Sequence, residues 1–85
     1  MKSTAVTVGT TAVLIVPADD THRTVYLHHE SNQAIYVGGT DVTTSNGLHM
    51  KKATNLAVVV PSSQTLYAIA DAAAQEIRVL TPDVD

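Results

Sequence analysis

Cysteine, phenylalanine and tryptophan are all missing from this chain of 85 residues. Without cysteine there can be no disulfide staple, no thiolate metal ligand and no thiol nucleophile. Without Phe and Trp, the side chains that bury most area each are gone. The core must come from Val, Ile, Leu, Ala and three tyrosines. Such a core is thin for one small domain, and burial between copies is the expected remedy. Charge is scarce as well. Charged residues make up 15% of the chain, and the formal net charge is −3; about 25% is usual. Lys2, Arg23, Lys51, Lys52 and Arg78 are scattered and form no basic stripe, so nucleic acid is not expected as a partner. No segment approaches the ~20 apolar residues of a membrane-spanning helix, so no membrane partner is expected. The first residues lack the apolar run of a signal peptide. The expectation is synthesis in a cytoplasm without export.

What the chain does have is β-branched residues: twelve Thr, twelve Val and four Ile, about a third of the total. These are stiff at χ1 and pack well on a pleated surface. Strands are expected near 5–8, 11–16, 23–29, 34–37, 42–44, 48–50, 56–60, 65–70 and 76–81, with turn residues between them. Segment 68–75 contains good helix formers but is too short to stand alone, so a tight turn is expected at 71–74. Short strands at this spacing predict a single all-β domain over 1–85. The expected fold is a small antiparallel β-sandwich or jelly-roll-like barrel of about eight strands.

The face patterns sharpen this. In 23–29, Val25 and Leu27 share one face, and Thr24, Tyr26 and His28 the other. In 34–37, Ile35 and Val37 oppose Tyr36. These alternations read as half-buried strands. Two runs break the rule: Val13–Val16 and Ala57–Val60 are apolar on both faces. They call for a second layer, expected to be another subunit.

Groups capable of chemistry are few. His28 and His29 are adjacent, so on a strand they point to opposite faces. His22 and His28 would lie ~20 Å apart along a straight strand. Only a cross-strand partner such as His49 could complete a metal site with one of them. Without H-x-H or H-E-x-x-H spacing, no metal is expected, and the histidines are read as exposed on the sheet surface. Asp41–Gly47 superficially resembles a calcium loop but lacks the acidic ligands and the closing Glu. It reads instead as a turn whose side chains bond local backbone. Asp19-Asp20 reads as a solvated turn. With no G-x-S-x-G elbow, phosphate loop or dinucleotide fingerprint, neither an enzyme nor a cofactor is expected. Tyr26, Tyr36 and Tyr67 suit surfaces with one dry and one wet end, and stacking on a sugar is the rival use for them.

The most informative stretch is Ala34–Gly47, A-I-Y-V-G-G-T-D-V-T-T-S-N-G. Gly-Gly allows positive φ or close backbone approach, and Asn-Gly is the favoured pair of a two-residue hairpin turn. The expected product is a strand–turn–strand corner that carries Tyr36 and the 43–46 tip to a surface. On this reading Gly39 needs positive φ, and Gly39→Val should damage folding or assembly.

Several motifs in this order resemble small β-rich virion proteins of tailed bacteriophages, of the head-decoration or cement kind. They are V-T-V-G-T-T-A-V-L-I-V with a first hairpin around Gly9, then R-T-V-Y-L, the Ala34–Gly47 stretch, L-Y-A-I-A and E-I-R-V-L. The resemblance spans about Val6 to Leu80. His28-His29-Glu30 and Lys51-Lys52 stand where similar sequences tend to carry Asn-Gly-type and Pro-Gly residues. The resemblance implies a structural protein on the capsid exterior of a virion, bound to the major capsid protein. It also implies self-association, expected to be a homotrimer. The alternative is a tail- or fibre-associated module that binds a carbohydrate or partner protein. Candidate interface residues are Tyr26, Tyr36, Gly38, Gly39, Thr43, Asn46, His49 and Tyr67.

Overall fold

The computed structural model describes residues 1–51 and 53–82. The strands are β1 (Lys2–Val8), β2 (Val13–Val16), β3 (Arg23–His29) and β4 (Ile35–Gly38), followed by β5 (Leu48–Met50), β6 (Asn55–Val60), β7 (Leu66–Ala70) and β8 (Gln75–Thr81). Among the described residues there is no helix, and so none long and apolar enough to cross a membrane. Two four-stranded sheets form, ordered β1-β8-β3-β6 and β2-β7-β4-β5. Every strand pair is antiparallel. The pairs β1·β8, β2·β7, β3·β6 and β4·β5 are those of one long ribbon rolled up so that its strands alternate between two layers. This is the jelly-roll order, as the sequence pattern predicts.

The core lies between the sheets. Leu27, Ile35, Met50, Ile77, Val8, Val16 and Val25 are fully buried in it. β3 shows how alternation builds this layer: Arg23, Val25, Leu27 and His29 are buried, while Thr24, Tyr26 and His28 point outward. Arg23 enters the layer because Nη2 donates to the Pro17 carbonyl at 2.8 Å, which ties the β2–β3 loop to the sandwich.

Four expectations need correction. The segment around Gly9 is no hairpin, because β1 and β2 belong to different sheets. The Gly9 carbonyl instead accepts from the Ala70 N–H at 2.8 Å. No strand forms at 42–44, where Thr43 and Asn46 side chains hold the backbone in successive turns. In β2 the two-faced apolar run is accommodated within the chain. A bulge between Leu14 and Val16 lets the adjacent Ile15 and Val16 both face the core, leaving only Leu14 outward. His29 is not on the surface but 1% exposed. Its Nδ1 accepts from the Ser31 N–H at 3.1 Å, and its Nε2 meets the Gln33 carbonyl. One acceptor and one donor fix a neutral ring with the proton on Nε2.

A candidate interaction face

The outward side chains of the first sheet form a continuous surface. The register places Ser3, Leu80, Tyr26 and Ala57 in one row across β1, β8, β3 and β6. The next row is Ala5, Arg78, His28 and Asn55. Beside Tyr26 and Ala57, Thr24 pairs with Val59. The centre is apolar and open: Tyr26 is 52% exposed and Val59 57%. A depression of about 870 Å³ on this face is lined by both rows.

Polar groups along one side of the depression are held in place by one another. His28 Nδ1 bonds Asn55 Oδ1 at 2.5 Å, and its Nε2 meets Glu30 Oε1 at 2.9 Å. Arg78 Nε donates to Glu76 Oε1 at 3.2 Å. Of these pairs only His28–Asn55 crosses between strands, joining β3 to β6.

The second sheet presents a different outer face. The Tyr36 and His49 rings stack at 4.9 Å with an interplanar angle of 19°. Ile69 stands beside them opposite Tyr36, and Tyr67 lies one row along, between Leu14 and Gly38. The 39–47 loop folds back over Gly38. Val42 is buried there at 5% exposure, away from the main core cluster. A Cβ on Gly38 would sit 3.0 Å from Val42 Cγ2, and one on Gly47 would sit 2.6 Å from Tyr36 Cβ. These two glycines exist to let Val42 seat. The loop consumes its own polar groups. Asn46 Oδ1 accepts from the Thr43 N–H at 2.7 Å, and Asn46 Nδ2 donates to the Asp41 carbonyl at 3.3 Å. Thr43 Oγ1 accepts from the Ser45 and Asn46 N–H groups.

The candidate interface residues therefore divide. Tyr36, Gly38, His49 and Tyr67 gather on the outer face of the second sheet, with Gly39, Thr43 and Asn46 in the overhanging loop. Tyr26 is alone on the opposite face. His28 and His49 lie on opposite outer faces and His29 between the sheets, so the cross-strand metal pairing does not arise. Among the described residues no three His, Asp or Glu side chains come together to hold a metal ion. Sequence reasoning missed Leu80, Ala57, Val59 and the His28–Glu30–Asn55 cluster. Strand parity could have marked each as outward, but only the strand order brings them together around Tyr26.

Away from both faces, Asp19 is adjoined by the side chain and the backbone N–H of Asp20. This holds Asp19 below the usual carboxylate range, and the charge of Arg23 acts in the same direction. Comparison with family models, curated proteins and solved structures finds no match for this chain.

Proposed function

We propose that the chain is a structural virion protein of the capsid-decoration kind. It binds the outer surface of a tailed-phage head, contacts the major capsid protein and stabilises the shell. The observation that carries this reading is the Tyr26-centred face. An exposed aromatic anchor stands between Leu80 and Ala57, beside an apolar Val59, with hydrogen-bonded polar groups alongside. That is the anatomy of a protein-binding surface, in which a central aromatic supplies most of the energy and polar neighbours set the register. The resemblance of its sequence motifs to those of small virion β proteins supports the same reading.

The mechanism needs no chemistry. A rigid sheet that binds the assembled shell and not its dissociated subunits stabilises the shell by mass action. Copies that also associate with one another multiply the effect through effective concentration. The test is cosedimentation of the purified chain with assembled shells of tailed-phage major capsid protein. Saturable binding that raises the shell's dissociation temperature supports the reading, and absence of binding removes it.

The Tyr36–His49 stack beside Tyr67 favours a second reading, a sugar-binding tail or fibre module, since aromatic faces on a rigid sheet suit a pyranose ring. A glycan array decides that one: binding lost in Tyr67→Ala supports it, and silence across the array ends it.

A further inference from the structure

We infer that the free edge of β6 pairs with β6 of a second copy, joining two first sheets into one continuous antiparallel sheet about a two-fold axis. The inference is independent of the shell reading and rests on how the four sheet edges differ. β2 is four residues long and bulged, and β5 is only three. β1 carries Lys2 and the polar residues Ser3, Thr4 and Thr7. Short strands, bulges and edge lysines are the usual defences against edge pairing. β6 has none of them. Asn55-Leu56-Ala57-Val58-Val59-Val60 has no charge and no proline, and its register against β3 is unbroken.

The ladder phase identifies the groups on offer. The His29 N–H donates to the Thr54 carbonyl at 3.0 Å. Residues 54, 56, 58 and 60 therefore bond β3, whereas 55, 57 and 59 aim N–H and C=O at the open edge. The inward side of this edge is only partly covered. Leu56 and Val58 stay half-buried, and a hollow of about 510 Å³ runs beside Val58, Val60 and Leu66.

A second copy answers all of this at once. With Ala57 opposite Ala57 of its symmetry mate, Asn55 meets Val59, and every outward-aimed backbone group of residues 55, 57 and 59 finds a partner. On the core side Leu56 meets Val58, covering apolar surface left open in the single chain. Pro61, which has no N–H, ends the ladder. The uncharged strand also brings no like-charge repulsion into contact. Both Tyr26 faces end up on the same side of the joined sheet.

Sedimentation equilibrium and native mass spectrometry on the whole chain test this. Two copies are expected for wild type and for Tyr26→Ser. A single copy is expected for Ala57→Lys or Ala57→Glu alone, and a mixture of the two variants should restore a two-copy species, because opposite charges then face each other. Hydrogen exchange on wild type covers the case of a misfolded variant. Protection at Ala57 and Val59 should grow with protein concentration, while Val58, bonded to β3, stays protected throughout. A wild type that is monomeric or trimeric, a dimer that survives Ala57→Lys, or concentration-independent exchange at Ala57 and Val59 overturns the inference.

Discussion

The Cβ that Gly47 lacks would fall 2.6 Å from the Cβ of Tyr36 and 2.8 Å from Val42 Cγ2. Real Cβ atoms do not approach that closely, so the loop and the aromatic strand it covers are fitted to each other at this one position. Gly47→Ala should destabilise the fold by about 1–3 kcal/mol, the range for forced overpacking, and loosen the Tyr36–His49 stack. Gly39 behaves differently. Its φ is not in the left-handed region, and an added Cβ would meet only Asp41 Oδ1 at an ordinary 3.4 Å. The damage expected of Gly39→Val on sequence grounds is therefore withdrawn. That change should stay within about 0.5 kcal/mol. Urea denaturation of the two variants checks the contrast.

None of the glycines has positive φ, whereas Ala53, Ser63 and Ala74 do, at 61°, 67° and 59°. An L-residue in that conformation costs roughly 1–2 kcal/mol, partly offset in any replacement by the greater unfolded-state entropy of glycine. Ala74→Gly should therefore raise stability by up to about 1 kcal/mol. Thermal unfolding is the measurement, and a lowered midpoint would contradict the strain argument.

This inversion shows where the sequence was legible. Alternation in 23–29 and 34–37 places Val25, Leu27, Ile35 and Val37 inward and Tyr26 and Tyr36 outward, as the structure has them, because a period of two leaves little choice once one face is buried. For the glycines the sequence suggests positive φ or close approach of backbone; neither is what Gly38 and Gly47 supply, since their value is the missing Cβ beside the Val42 side chain. That is a packing fact within one loop, which turn propensities do not encode. The strand at 42–44 failed for a related reason. Asn46 and Thr43 bond neighbouring backbone and outcompete a ladder, as such side chains do. The Tyr26 face was half legible. Parity pointed Tyr26 outward, but Leu80 and Ala57 joined it only through a jelly-roll order set by pairings dozens of residues apart.

His29 supplies a buried polar test. Its ring satisfies the Ser31 N–H and the Gln33 carbonyl while packed in the core. His29→Ala removes both partners and leaves a void, and should cost about 3 kcal/mol. His29→Leu, which fills much of the volume but makes neither bond, should recover only part of that. Equal stability of His29→Leu and wild type would show that these bonds contribute nothing.

Asp19 makes stability depend on acid. Its carboxyl is held below the ordinary carboxylate range in the folded chain, chiefly by Asp20 beside it. Its stabilising contribution is therefore complete above that range and is lost as the pH falls through the lower folded value. Asp19→Asn should flatten the acid limb of the stability profile below about pH 4 and leave the neutral region with the smaller stability of the variant. An unchanged acid limb would contradict this assignment.

The proposed shell binding rests on the Tyr26 face. It is tested by cosedimentation of wild type and Tyr26→Ser with assembled shells of tailed-phage major capsid protein, both proteins first shown to be equally folded. Removing an exposed central aromatic should weaken binding by about 2 kcal/mol or more, roughly thirtyfold, while Tyr67→Ser on the opposite face binds as wild type does. Undiminished binding by Tyr26→Ser, or loss of binding in Tyr67→Ser instead, would contradict the account.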